Sequence, residues 1–442
     1  MPRDSDLLKE VDVLIVGAGV LGVTIAYWLS YLYDGRILLI DKETGVARHT
    51  SSRNTGVIHR PFYLNPETRK TFALSAGLSY PLWHDLAAKY GLPWKPVGTL
   101  EVALREDDVA VLEKYIRWGK DNGVEKTELE LLDARSVNSL EPEVECRAAL
   151  HSKTDVSVDF GKFTACVHRL ALDEGLVFQG GLQVSSLKAE GGALDASFSG
   201  EGPLPGVRCN LLINAAGGGS LDIAHMMGLA SEYSELDFRG EYWLVDEPFA
   251  SKVRRNIYTL PRHPEYPFLD PHFVVRADGL REIGPNAVMV TGPYVYEGLG
   301  LRSLSRMFAR PQRPKLNLLT NADFLSMVAN EWRSSLSKNA MCGRVRRFIP
   351  GLSHRFLNSR GVSGVRSSII GNGGFVPEAI ILQDERSLHV LNYNSPGATG
   401  APSYSARLVA RMHESGLLDG VRRKAQRPAE SVWDFGRATQ TT

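Results

Sequence analysis

Cysteine is scarce in this chain: four in 442 residues, Cys146, Cys166, Cys209 and Cys342, no two of them at the spacing of a zinc or redox pair. That argues against a disulfide framework and leaves reduced, structural thiols as the expectation. Neither sign of charge is in excess, since 51 basic against 50 acidic side chains give a formal net charge of +1. A polyanion partner needs a basic surface, so nucleic acid is not expected. No apolar run is long enough to span a bilayer, and the opening MPRDSDLLKE lacks the apolar stretch of a secretory leader. The expectation is a cytoplasmic protein without a transmembrane segment, with peripheral contact at the inner face of a membrane left open. HExxH, CxxC and paired-carboxylate patterns are missing too, so no metal and no hydrolytic site is expected.

What is present begins with an apolar, β-branched run, Val11 to Val16, that reads as a buried parallel strand. It ends in Gly17-Ala18-Gly19-Val20-Leu21-Gly22, followed by an apolar helical stretch and a second strand, Arg36 to Ile40, closing at Asp41. The first glycine permits the tight turn, the second lets backbone approach a pyrophosphate, and the third lets helix and strand pack closely. The helix start then offers N–H groups and a positive dipole end to phosphate. Asp41, about twenty residues on, can hold ribose hydroxyls, and an acid there argues against a 2′-phosphate. The glycine spacing alone is weak evidence. Strand, turn, helix, second strand and acid together predict a Rossmann-type dinucleotide site.

Further along, Lys70–Tyr90 reads as helix, Val97–Leu104 as strand and Leu112–Leu132 as a charged outer helix. Phe178–Leu187 and Ala193–Phe198 read as strands, and Cys209–Asn214 as a buried strand running into the glycine-rich Ala215–Gly219 and a helix. Short strands dominate Phe238–Val290, helix is expected over Leu316–Lys338, strands over Val362–Ile370 and Ile380–Leu391, and helix over Tyr404–His413. The tail from Arg423 reads as polar and mobile. After Asp41 the pattern leaves the sheet for about a hundred residues before suitable strands resume, which favours FAD over NAD.

The chain resembles the FAD-dependent family that includes D-amino-acid oxidase, glycine oxidase and glycerol-3-phosphate dehydrogenase, and within it the L-2-hydroxyglutarate dehydrogenase/oxidase branch. The segments that carry this are Asn54–Tyr63 (NTGVIHRPFY), FRGEYW, YPFLDPHF, GPNAV, SGVRSS and LNYNSPGATGA, over approximately Asp12 to Met412. The resemblance implies an α/β fold with a discontinuous Rossmann-type FAD-binding domain (1–80, 145–230 and 345–420) and an α+β substrate domain on a mixed antiparallel sheet (81–144 and 231–344), with 421–442 as a polar tail. It also implies oxidation of a small anionic 2-hydroxy acid to the 2-oxo acid, with a quinone or oxygen as the onward electron acceptor. The family's pattern extends the cofactor-binding set beyond Gly17, Gly19, Val20, Leu21, Gly22 and Asp41. It adds Lys42, Ser51, Ser52, Asn54, Thr55, Gly56, Val184, Ala216, Gly217, Arg366, Gly397, Ala398, Thr399 and Gly400. Four departures stand near the expected site: Arg53 for a histidine, Arg60-Pro61 for a small pair, Ser368 for a glutamine, and Pro377-Glu378-Ala379 for an acidic-aromatic stretch.

Oxidising a hydroxy acid needs a base for the hydroxyl proton, and histidine suits it. His272 is the first candidate and His59 the second, although either could be a hydrogen-bonded structural histidine. A substrate carboxylate wants a planar, bidentate donor, which points to Arg366 and, less directly, Arg239. Tyr242 either bonds substrate or packs. The Ser395–Ala401 loop before its helix offers N–H groups to the negative edge of a reduced flavin. Two alternatives stand beside this reading. One is an amino-acid or amine oxidase, or a sugar- or glycerol-phosphate dehydrogenase, drawing on Arg53 and Arg60 as anion binders. The other is a non-catalytic dinucleotide-binding module, which would have no use for His272 and Arg366.

Overall fold

The run after Lys9 forms a strand, Glu10–Val16, whose last four residues, Val13–Val16, are all apolar because both faces are covered there. The computed structural model describes residues 9–263, 266, 270–309, 313–425 and 431–440. The opening MPRDSDLL and Pro267–Leu269 of YPFLDPHF lie outside the described residues.

Five strands run parallel in the spatial order Val177–Gly180, Ile37–Asp41, Glu10–Val16, Gly206–Asn214 and Ser387–Leu391. A hairpin, Leu182–Glu190 with Ala193–Gly200, extends this sheet at one end of Gly206–Asn214, and Ile380–Gln383 pairs antiparallel with Ser387–Leu391. The chain order reverses between Glu10–Val16 and Gly206–Asn214. In open sheets of this kind the crevice past the carboxyl ends at such a reversal takes the ligand. The helix Val20–Leu32 is buried all round, packed between the sheet and the helices Phe160–Asp173 and Gly397–Glu414.

A second sheet has seven strands in the order Trp243–Leu244, Arg281–Gly284, His272–Val275, Asn256–Thr259, Thr99–Ala103, Ala148–Ser152 and Leu129–Asp133. All neighbours are antiparallel except Asn256–Thr259 with Thr99–Ala103, so the expected mixed antiparallel sheet is present. Ala148–Ser152 belongs to this sheet although it follows residue 145. A four-stranded antiparallel sheet, Val288–Val290, Ser234–Gly240, Gly364–Gly371 and Gly374–Phe375, stands beside it.

Five local expectations are corrected. The charged stretch read as helix over Leu112–Leu132 is a helix Glu106–Asp121 and then a strand Leu129–Asp133. It starts early because the Asp108 carboxylate accepts the Arg105 N–H at 3.1 Å, and Gly123, at φ 78°, turns the chain away. Phe178–Leu187 and Ile380–Leu391 are each two strands, the first broken at Gly181 (φ 75°). The last long helix begins at Gly397, so Gly397–Ala401 is its opening rather than a loop. Pro402 lies inside this helix without a backbone N–H to donate, and the Trp83 indole N–H donates to the Ala398 and Thr399 carbonyls at 3.2 and 3.0 Å, satisfying the acceptor that the proline leaves. The tail docks as well: Trp433 is 1% exposed, against Trp28 and Trp83, and donates to the Leu82 carbonyl at 2.7 Å. The polar residues around one tryptophan hid that anchor.

Candidate active site and cofactor groove

The two glycine-rich turns meet at the reversal of the sheet. A Cβ on Gly17, which sits at φ 105°, would lie 2.5 Å from the Ala215 carbonyl oxygen, and one on Gly22 would collide with the Gly17 carbonyl. The Ala215 N–H reaches the Val16 carbonyl at 2.9 Å, tying the second turn to the first. The helix Val20–Leu32 has no side-chain cap from its own N-cap, Gly19. Instead Ser51 arrives from a separate segment and accepts the Val20 N–H at 2.8 Å. Asp41 accepts the Ala18 N–H at 2.6 Å and the Glu43 N–H at 2.8 Å. Burial raises its carboxyl above the usual range, and those two donors pull it back. A backbone cradle too tight for any Cβ, a helix start capped from elsewhere and a carboxylate ending the second strand fit an adenine dinucleotide.

The neighbouring predicted residues shape the same region. Ser52 donates to the Ala47 carbonyl, and Asn54 donates to the Thr50 and Ser51 carbonyls while accepting the Gly56 N–H, so the loop is internally braced. Gly56 (φ 68°) passes so close to the Val158 carbonyl that a side chain would meet it at 2.6 Å. Thr55 lies beside Tyr258. Lys42 pairs with Glu43 at 3.1 Å and lies over the Tyr294 ring. The Val184 side chain belongs to the apolar layer with Val16 and Ile40. Ala216 follows Asn214, whose amide oxygen takes its N–H, and Gly217 (φ 55°) opens the turn. Gly400 packs against Ser75 of the helix Lys70–Tyr90, a helix-packing glycine, whereas Gly397 and Ala398 begin a helix without a side-chain cap and Thr399 reaches the Val57 carbonyl at 3.5 Å.

The other end of the groove meets the seven-stranded sheet. His272 opens a central strand there, 1% exposed, its ring stacked on Tyr258 at 3.8 Å. Both of its ring nitrogens are buried without a hydrogen-bond partner. Burial, with the neighbouring His59, pushes it down to about 3, so it is neutral at physiological pH. His59 stands edge-on to Tyr258 and to Tyr63, and its Nδ1 lies 2.7 Å from Asp155. Arg366, half-buried, is electrostatically coupled to Arg69, Tyr242 and Tyr63, and burial lowers both arginines below their ordinary value. Tyr242, Tyr258 and Tyr63 are all raised by burial and keep their protons. Glu101, pushed up to about 8 by burial and then by Asp155, borders the same enclosure.

The strands thus bring together His59, His272, Tyr242 and Arg366, and leave Arg239 apart. Arg239 is 3% exposed and spent on Glu241 at 2.8 Å and on the Gly298 carbonyl at 2.6 Å. The anion-binding role weighed for Arg53 and Arg60 also finds them occupied. Arg53 lies over Tyr296 and donates to the Arg48 and Ser363 carbonyls. Arg60 pairs with Glu128 at 2.8 Å and covers the Tyr80 ring. Arg60→Ala is therefore expected to lower stability by about 1–3 kcal/mol, because it strands a largely buried carboxylate, without changing which substrate is preferred. A denaturation midpoint measured with a substrate panel on the same protein checks both halves.

Sequence reasoning passed over Arg69, Asp155 and Tyr258. Arg69 precedes a helix with no motif to mark it, yet it approaches Glu378 at 3.7 Å and donates to the Ser395 carbonyl at 3.0 Å. Glu378 lies in a segment already noted as unusual, which was the one available signal. Ser368, the other departure, is 2% exposed with its hydroxyl unpartnered.

A dinucleotide groove that runs from a sheet reversal into a wall supplied by a second sheet is the architecture of an FAD-dependent oxidoreductase. The chain belongs to the DAO family of FAD-dependent oxidoreductases, whose family model matches residues 12–412. It is similar to the mitochondrial L-2-hydroxyglutarate dehydrogenase of Caenorhabditis briggsae, 28% identical with 90% of this chain and 92% of that protein covered. It is also similar to the L-2-hydroxyglutarate dehydrogenase of Escherichia coli K12, at 26% identity, covering 91% and 93%. Among solved structures, the FAD-bound L-alpha-glycerophosphate oxidase of Mycoplasma pneumoniae superposes with a TM-score of 0.70 at 22% identity, covering 95% of this chain and 98% of that one. Glycine oxidase of Geobacillus kaustophilus gives 0.68 at 15% identity, covering 92% and 95%. FAD is the cofactor. Among the described residues no group of side chains is placed to hold a metal ion, and no helix is long and apolar enough to cross a membrane.

Proposed function

We propose that this flavoenzyme oxidises a small 2-hydroxy acid bearing a second carboxylate, L-2-hydroxyglutarate or a close relative, to the 2-oxo acid. The observation that carries the reading is a guanidinium, Arg366, in one buried region with Tyr242, Tyr63, His59 and His272, while the nearby Arg69 already holds Glu378 and the Ser395 carbonyl. A planar guanidinium suits a substrate carboxylate, and the names of the curated relatives agree with a dicarboxylate.

His59 takes the role of base. Its Nε2 has no partner among the described residues, while His272 is held too far below neutrality to carry the proton. His272 and the protonated Tyr242 and Tyr258 are left to hydrogen-bond the substrate's oxygens. FAD, when bound, takes up the hydride released from the substrate carbon. Burial of the enclosure excludes water and strengthens each of these contacts.

The test is anaerobic mixing of the holoprotein with L-2-hydroxyglutarate, its D enantiomer, glycerol 3-phosphate and a panel of amino acids, followed at the flavin absorbance. Bleaching by L-2-hydroxyglutarate or a near homologue is expected. Bleaching by an amine or by glycerol 3-phosphate alone overturns the proposal. The motive for a phosphate substrate falls away with Arg53 and Arg60, both engaged within the protein.

A further inference from the structure

We infer that Asp155 is a positioning residue that holds His59 with its proton on Nδ1, so that Nε2 is presented to the substrate as the proton acceptor. The inference rests on the reading of His59 as the base. It starts from strand register: Val57 pairs with Ser157 and Ile58 with Val156, so the next step sets His59 opposite Asp155.

Asp155 is fully buried, and its two oxygens have separate duties. Oδ1 accepts the Ser152 hydroxyl at 2.6 Å and the Arg60 backbone N–H at 2.8 Å. Oδ2 is left to face His59 Nδ1 at 2.7 Å. A carboxylate oxygen only accepts, so the proton between Oδ2 and the ring belongs to Nδ1, and the lone pair of the neutral imidazole is on Nε2.

The loop that carries Asp155 is pinned on several sides. Its carbonyl accepts the Gly98 N–H at 3.0 Å, and the Thr154 carbonyl accepts the Tyr80 hydroxyl at 2.9 Å. Glu128 bonds both the Thr154 hydroxyl and the Arg60 guanidinium, each at 2.8 Å. Arg60, unusual at its position, is thus part of the scaffold that aims the carboxylate. Oriented imidazoles elsewhere owe both tautomer and direction to such an outer carboxylate.

Asp155→Asn separates aim from bulk. The Arg60 N–H can be satisfied only by the amide oxygen, which turns the amide NH2 toward His59 Nδ1 and forces the ring proton onto Nε2. The rate constant of anaerobic flavin reduction is expected to fall by about 10²- to 10⁴-fold, the range for loss of general-base catalysis. Flavin content, unfolding temperature and the substrate concentration for half-maximal reduction should hold. Asp155→Ala, with space left at the site, should recover part of its rate with added formate, which a merely structural carboxylate would not show. Asp155→Asn added to His59→Gln should cost little more than His59→Gln alone. Reduction at the wild-type rate in Asp155→Asn while His59→Gln is slow overturns the role of Asp155 and spares the base. Wild-type reduction in His59→Gln removes the base assignment and this inference with it. Loss of flavin in both Asp155 variants, without formate rescue, assigns Asp155 to the fold alone and also overturns the inference.

Discussion

Gly17→Ala protein is expected to purify folded but colourless, with FAD affinity lowered by about 10²-fold or more. The residue sits at φ 105°, where a side chain is strained, and its Cβ would stand 2.5 Å from the Ala215 carbonyl oxygen. Left-handed backbone costs a non-glycine residue about 1–2 kcal/mol and overpacking about 1–3. About two to five kcal/mol against the loop conformation corresponds to roughly one and a half to three and a half decades in affinity. The loop can relieve the clash only by moving away from Ala215, which opens the seam between the two turns. The ratio of flavin to protein absorbance, and titration of the apoprotein with FAD, give the result. Retention of a full complement of flavin would show that the cradle lies elsewhere.

Arg366→Ala should keep its flavin and lose kcat/KM for the dicarboxylate by about 10²- to 10³-fold. Truncating one partner of a desolvated charge pair costs about 2–5 kcal/mol, and here the loss falls on the bound substrate. Arg366→Lys should recover little, since a point charge replaces a planar fork. The contrast is Arg239→Ala, which exposes its effect in unfolding temperature, because its guanidinium is committed to Glu241 and the Gly298 carbonyl. Steady-state kinetics beside thermal denaturation distinguish the two arginines. Equal kinetic losses in both would undo the assignment of Arg366 to substrate.

The order of the two histidines shows where sequence reasoning stopped. His272 ranked first on motif membership, yet its nitrogens are orphaned by burial and held below neutrality. His59 has the oriented carboxylate, ninety-six positions away in the chain. Burial and pairing are properties of a place in the packed structure, and neither leaves a mark on local spacing. The long C-terminal helix teaches the same point, since a proline in its second turn was made tolerable by an indole from another helix.

The glycine turn, the strands flanking it and the acid at Asp41 were legible because they are a local matter: backbone conformation and a fixed run of covalent spacing dictate them. Family membership was legible for the same reason, carried by short contiguous motifs. The enclosure was not. His59, Asp155, Tyr258, His272 and Arg366 come from five separated segments, and only the pairing of strands across two sheets decides which of them face one another.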